Sequence, residues 1–400
     1  MNKVIVLGGG ASGYAAAIRA AECGAEVLII EAQDKPLRKV AASGNGRCNL
    51  SNRKVDVSCY CTQTPALLVG FLDQSALVYE FFERLGVLVR ADSEGRLYPI
   101  TNRARTVVDA LCLRAEALGV RIVTATVKSM LDYGGQWIVR THGETYRGDV
   151  LIAALGSPAS RSLGATDAMN ELFGEKKRIG LTPFRPALVP LRTEPRYASL
   201  KGSRAFVRLA LSRGKDVVRR EEGEVLFAEY GLSGVSVMQL SAFAVPGDVI
   251  TIDFLPDLSL AEVKRLLMDR VNSGAYPTVD RLLLGLVAKP ISYALLKEAG
   301  LSPLDAPATP KLSAAVDRLA HLVKEWPFTV TGDIGFESAQ VALGGIRLDA
   351  LDSDLQSKSY PCLYFVGEGV DVTGLCGGYN LHWAWLSGLI AGERAASVRK

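Results

Sequence analysis

Long apolar runs, histidine and an excess of charge of one sign are all scarce in this sequence. No stretch of about 18 apolar residues runs free of charge, so no membrane-spanning helix is expected. The N-terminal K-V-I-V-L-G-G-G has too short an apolar core for a secretory signal. Three histidines leave few ligands for a structural zinc, and the seven cysteines contain no C-x-x-C pair. Cys59 and Cys61 form C-Y-C, but no second Cys/His pair of zinc spacing accompanies them. We therefore expect no metal and, from the odd, unladdered cysteines, a cytoplasmic protein. Basic residues exceed acidic ones by only four, 46 against 42, and are not gathered into a run. That balance makes no electrostatic case for nucleic acid or membrane. What remains is an ordinary globular composition, 400 residues with 48% hydrophobic and 22% charged, long enough for two or three domains.

The first positive signal is at the N-terminus. Val4 to Leu7 read as a buried strand, followed by G-G-G-A-S-G, in which Gly8, Gly10 and Gly13 fill G-x-G-x-x-G. The first glycine makes the tight turn, the second lets backbone approach a pyrophosphate, and the third packs helix against strand. An alanine-rich helical stretch, Tyr14 to Cys23, comes next, with Ala11 and Ser12 at its entrance. A second strand, Val27 to Ile30, then ends on Glu31, where an acid meets a ribose hydroxyl and repels a 2′-phosphate. This βαβ register predicts a dinucleotide, NAD or FAD.

Two further stretches favour FAD. K-V-A-A-S-G-N-G-R-C-N-L-S-N, Lys39 to Asn52, can wrap a second loop around an anionic pyrophosphate. Near the C-terminus, L-Y-F-V-G-E offers Gly367 and Glu368 to ribityl hydroxyls. The glycines of V-T-G-L-C-G-G-Y-N then lead into a helix, Leu381 to Ala391. A helix N-terminus aimed at the pyrimidine end of a flavin favours the reduced form.

These segments resemble the HI0933-like, or BaiN-like, NAD(P)/FAD-dependent oxidoreductases over nearly the whole chain. The resemblance rests on G-G-G-A-S-G, S-G-N-G-R-C-N, L-T-P-F-R-P-A-L-V-P-L (181–191), G-L-S-G (231–234), A-L-G-G-I (342–346), L-Y-F-V-G-E and G-G-Y-N-L-H-W-A-W-L-S-G. With the residues above, it implies FAD contacts at Gly8, Gly10, Ala11, Ser12, Gly13, Glu31, Lys39, Ser43, Gly44, Asn45, Gly46, Arg47, Cys48 and Asn49. It implies further contacts at Val127, Gly156, Gly367, Glu368, Asp371, Gly378, Tyr379, Asn380 and Leu381. The sequence departs from the family's common residues at His382 (glutamine), Glu229 (histidine), Val235 (proline) and Cys376 (threonine).

The fold class expected is α/β: a Rossmann-type, glutathione-reductase-like FAD domain with an inserted antiparallel β-barrel-like subdomain and a helical subdomain. The FAD domain would take 1–188 and 345–400, the β subdomain 189–256 and 324–344, and the helical subdomain 257–323, where Ser259 opens the capping box S-L-A-E. Substrate would enter between domains.

For chemistry, His382 titrates near neutrality and suits proton transfer, unless it merely caps the helix or faces solvent. Tyr379 could orient substrate, and Arg185 could hold a carboxylate or carbonyl or form an ion pair. Cys48 and Cys376 read as a packed thiol and a small loop residue rather than nucleophiles, and Trp383 and Trp385 as core. The function expected is an FAD-dependent oxidoreductase, an NAD(P)H-dependent reductase of a small apolar or enone-type substrate. The resemblance also implies an alternative, an FAD-dependent amine oxidase using oxygen. A reading of another class is an FAD-binding structural or sensory protein acting through a partner. No second G-x-G-x-x-G follows a strand, so NADH or NADPH would dock only transiently, or the substrate itself would reduce the flavin.

Overall fold

Val4 to Leu7 are each at most 2% exposed, and Val150 to Ala153 at most 1%. Such continuous burial is what a parallel sheet covered on both faces demands. In the computed structural model, which describes residues 1–176 and 178–398, strand β1 (Lys3–Leu7) pairs in parallel with β2 (Glu26–Glu31) on one side and Val150–Ala153 on the other. The five-stranded order is Leu363–Phe365, Val150–Ala153, β1, β2, Arg121–Thr124, every pairing parallel. The carboxyl ends of these strands, Leu7, Glu31, Ala153 and Phe365, thus lie along one edge, where ligands of open α/β sheets bind.

Helix α1 (Ala11–Glu22) follows β1, and the long C-terminal helix (Tyr379–Ser397) packs on it. Their contact is backbone-close because Gly388 and Gly392 face it. A Cβ on either would sit 2.4 Å from the carbonyl oxygen of Ser12 or Ala16.

The chain forms two compact units, Met1–Pro186 with Gln340–Lys400, and Ala187–Ala339. The second contains a closed six-stranded barrel with strands in the order Leu191–Glu194, Gly231–Ser233, Asp216–Ala228, Arg204–Arg213, Val249–Asp253, Trp326–Asp333. Between the last two strands the chain makes the helices Leu260–Ser273, Lys289–Glu298 and Ser313–Lys324. The first begins on a complete capping box: Ser259 Oγ accepts from Glu262 N, and Glu262 returns to Ser259 N at 2.8 Å. Barrel residues such as Val207 and Ile252 share one apolar core with Val263, Leu295 and Val316 of the helices, so barrel and helices are a single unit. Among the described residues no helix is long and apolar enough to cross a membrane.

Candidate dinucleotide site

The three fingerprint glycines are not equivalent in space. Gly8 has φ of +104°, and a Cβ there would lie 2.4 Å from the carbonyl oxygen of Ala154. A Cβ on Gly13 would lie 2.0 Å from the carbonyl oxygen of Gly8. These two glycines serve the protein's own packing. Gly10 differs, since a Cβ there meets nothing within 4 Å. It is the N-cap of α1, which has no side-chain cap and no acid in its first turn. The first N–H groups of α1 are thus left for a ligand, beside open space and at the positive end of the dipole, as a pyrophosphate requires. Glu31 fixes the same loop: its carboxylate accepts from Gly9 N at 2.5 Å and from Gln33 N at 2.8 Å. The carbonyl of Glu31 accepts from Ala125 N at 2.8 Å, which brings the approach to Val127 against the end of β2.

The second loop is the end of a short helix, α2 (Arg38–Gly46), rather than a plain surface loop. Its regularity fails at Ser43, after which Gly44 and Asn45 are both left-handed and Gly46 has φ of +78°. Successive N–H groups in such a turn form an anion-binding concavity. Arg47 lies over the Tyr98 ring at 4.8 Å and donates to the Gly44 carbonyl, which holds a cation beside the concavity. Cys48 is fully buried, and burial pushes its thiol up to about 12, so it packs and does not react.

Asn49 ties this loop to the C-terminal stretch: its amide nitrogen donates to the Ser51 carbonyl and its oxygen accepts from Gly378 N at 3.1 Å. Asn52 adds a bond from Nδ2 to the Gly377 carbonyl at 3.0 Å. Gly378 could carry no side chain, since a Cβ would lie 2.4 Å from Ser51 O. Asn380 closes the turn by pairing both its amide atoms with Gly374, at 2.8 and 2.7 Å. Leu381 follows in the first turn of the C-terminal helix.

After the strand Leu363–Phe365, Gly367 has φ of +67° and lies against Ser12. Its N–H donates to Ser387 Oγ, and its carbonyl accepts from Trp383 Nε1. Glu368 makes a 2.6 Å ion pair with Lys39 and accepts from Ala342 N at 3.0 Å. Two expected cofactor contacts therefore neutralise each other. Buried Asp371 accepts from Gln63 N at 3.1 Å, and burial raises its carboxyl above the usual range. Gly156 has φ of +70° and open space around it. Open space around Gly10, Gly46 and Gly156 leaves room for a dinucleotide along these loops, whereas Gly8, Gly13 and Gly378 are cramped by the protein itself.

The residues expected to carry chemistry divide. His382 is fully buried, with Nδ1 2.8 Å from Ser51 Oγ and Nε2 3.0 Å from Ser75 Oγ. Ser75 already donates to the Leu72 carbonyl at 2.6 Å, so it accepts from Nε2–H and Ser51 donates to Nδ1. Burial depresses the imidazole to about 4. His382 therefore neither caps the helix nor faces solvent; it sits as a neutral pin between two serines, with both ring nitrogens engaged. Tyr379 is half-buried, its ring folded where a Gly377 Cβ would lie 2.5 Å from Cε2. Burial raises its phenol above the ordinary range, and a hydrogen bond with the Cys59 side chain adds to the rise. The Tyr60 hydroxyl donates to the Tyr379 carbonyl at 3.1 Å, the two rings meeting edge-on at 5.9 Å. Arg185 is exposed on the strand Leu181–Ala187. Trp383 and Trp385 are core, the latter donating to the Leu50 carbonyl. The sequence alone does not single out Ser51, Asn52, Ser75 or Tyr60. Only Ser51 and Asn52, which close R-C-N-L-S-N, stand close enough to a recognised motif to be found.

Residues 2–394 match the family described as HI0933-like protein Rossmann domain. The chain belongs to that family. It is an FAD-dependent oxidoreductase. It is 33% identical to the 3-dehydro-bile acid delta(4,6)-reductase of Clostridium scindens, over 99% of both chains. It is 29% identical to the ribosomal RNA dihydrouridine synthase of Escherichia coli, covering 96% of this chain and 95% of the relative. The enzyme of that name from Haemophilus influenzae is 27% identical, with 96% of each chain covered.

Proposed function

We propose that this protein is an NAD(P)H-dependent reductase of a small, apolar, enone-type substrate. The observation that carries the reading is the 33% identity, end to end, with a reductase whose named substrate holds double bonds conjugated to a ketone. The dihydrouridine synthases agree in chemistry, because the uracil double bond they saturate is also conjugated to a carbonyl. Reducing such a bond adds hydride at one carbon and a proton at the other. Bound FAD supplies the hydride chemistry.

The chain's part is to hold the cofactor on the N–H groups of α1 and the Ser43–Gly46 turn, and to keep a proton ready. Tyr379, half-buried in the first turn of the C-terminal helix, is the candidate for the second role; burial makes its phenol a weak acid, one that would give its proton only to a strongly basic centre such as an enolate carbon. Arg185, whose guanidinium is exposed, is the candidate for holding a substrate carbonyl or carboxylate.

The test is to reduce the FAD-loaded protein with dithionite, without oxygen, and to offer it separately a 3-keto-4,6-diene steroid and uridine-containing ribosomal RNA. We expect the steroid dienone to restore the visible absorption of the oxidised protein within seconds to minutes. Restoration by the RNA alone would replace the small substrate with a uracil base. If neither restores it, while primary amines bleach the oxidised protein, the chain is an amine oxidase and the reductase reading fails.

A further inference from the structure

We propose that the first unit carries a second ligand site, one that binds phosphate groups, in a basic cleft beside the strand Leu363–Phe365. Gly367 and Glu368 follow the strand Leu363–Phe365, whereas Lys358 and Ser359 precede it. Beside that strand lies a cleft of about 580 Å³, lined among the described residues by Lys176, Arg178, Arg347 and Lys358 with one carboxylate, Asp349. Four cations against one acid is a concentrated charge in a chain whose whole excess is four.

Three of the four cations, those of Arg347, Lys358 and Lys176, are held by the frame. Arg347 Nε donates to Asp349 Oδ1 at 2.9 Å, and Arg347 N to the Gly180 carbonyl at 3.1 Å. Lys358 Nζ donates to the Asp349 carbonyl at 2.9 Å, and Ser359 Oγ to the Arg178 carbonyl at 3.1 Å. Lys176 Nζ rests 5.3 Å above the Tyr360 ring. Asp349 neutralises one charge, so three stay available. Arginine and lysine together suit a ligand with several phosphate oxygens, as in a nucleotide or a run of phosphodiesters.

The proposal does not depend on the reductase reading, and its test separates the two. The FAD-loaded protein is titrated into a short fluorescein-labelled single-stranded RNA, with ATP as a free-nucleotide competitor, from low to physiological salt. Arg178→Gln/Lys358→Gln is compared with the unaltered chain, FAD content and dithionite reduction being measured on both. We expect the double variant to bind RNA at least about 10-fold more weakly, with a salt slope flatter by about 1.4, the value for two lost single-strand phosphate contacts. FAD content and reduction should be unchanged. Binding of ATP but not RNA, lost in the variant, supports the site with a free nucleotide as its source. Equal binding by both proteins, or no binding of either probe at the lowest salt, overturns it.

Discussion

A Gly13→Ala protein is expected to purify with little or no FAD and to unfold at a lower temperature than the unaltered chain. The added Cβ would stand 2.0 Å from the carbonyl oxygen of Gly8 and 3.3 Å from Ala154 Cβ, so helix α1 must back away from the turn that follows β1. Overpacking of this kind costs about 1–3 kcal/mol, and the same displacement misaligns the N–H groups that would face the pyrophosphate. FAD affinity should fall by at least about 10-fold, which is about 1.4 kcal/mol. Gly10→Ala is the informative partner. Its Cβ meets no protein atom within 4 Å, so the apoprotein should keep its melting temperature while FAD binding is lost to the methyl group standing in the ligand's space. Calorimetric titration of both apoproteins with FAD reads the difference. If Gly10→Ala binds FAD as tightly as the unaltered protein, the glycine loop is not the cofactor's cradle.

His382 carries the second large effect. Its imidazole is depressed to about 4 by burial, against about 6.5 in an unfolded chain. Above pH about 6.5 both states are neutral and the group adds no pH dependence. As pH falls from about 6.5 toward about 4, the unfolded chain takes up a proton that the folded protein refuses, and stability is lost, by up to about 3 kcal/mol. His382→Gln, which puts the residue common in the family at this position, removes the titration. The two proteins should therefore differ in how steeply stability falls between pH 6.5 and 4.5, as urea unfolding at each pH will show. Parallel curves would mean that the ring is not held neutral between Ser51 and Ser75. Turnover should keep the same pH profile in both proteins, because the imidazole has no free nitrogen to offer substrate.

The dinucleotide half of the site is legible in the sequence because backbone proximity restricts side chains directly. Gly8 and Gly13 are squeezed by Ala154 O and Gly8 O, and Glu31 stands at a strand end fixed by the βαβ geometry. What the sequence conceals depends on contacts made across the chain. Asn49 meets Gly378 and Lys39 meets Glu368, pairings more than three hundred residues apart that no local spacing encodes. The helix Arg38–Gly46 is hidden because its second half is S-G-N-G, which reads as loop and does leave helical conformation at Ser43. His382 misleads for a similar reason. A histidine in the first turn of a helix after two glycines suggests exposure, but the segments that bring Ser75 and Tyr79 over it lie elsewhere in the sequence. In the second unit, apolar alternation announces the strands, but not that barrel and helices share one core.

In the reductase reading, electrons arrive from a nicotinamide cofactor and leave to a conjugated carbonyl compound. Anaerobic mixing of the FAD-loaded protein with NADH, and separately with NADPH, tests the arrival most directly. Rapid loss of the visible absorption with one of them is the predicted result, and subsequent addition of a steroid dienone should restore it. An absorption that neither nucleotide changes, in protein that dithionite bleaches fully, would contradict that route.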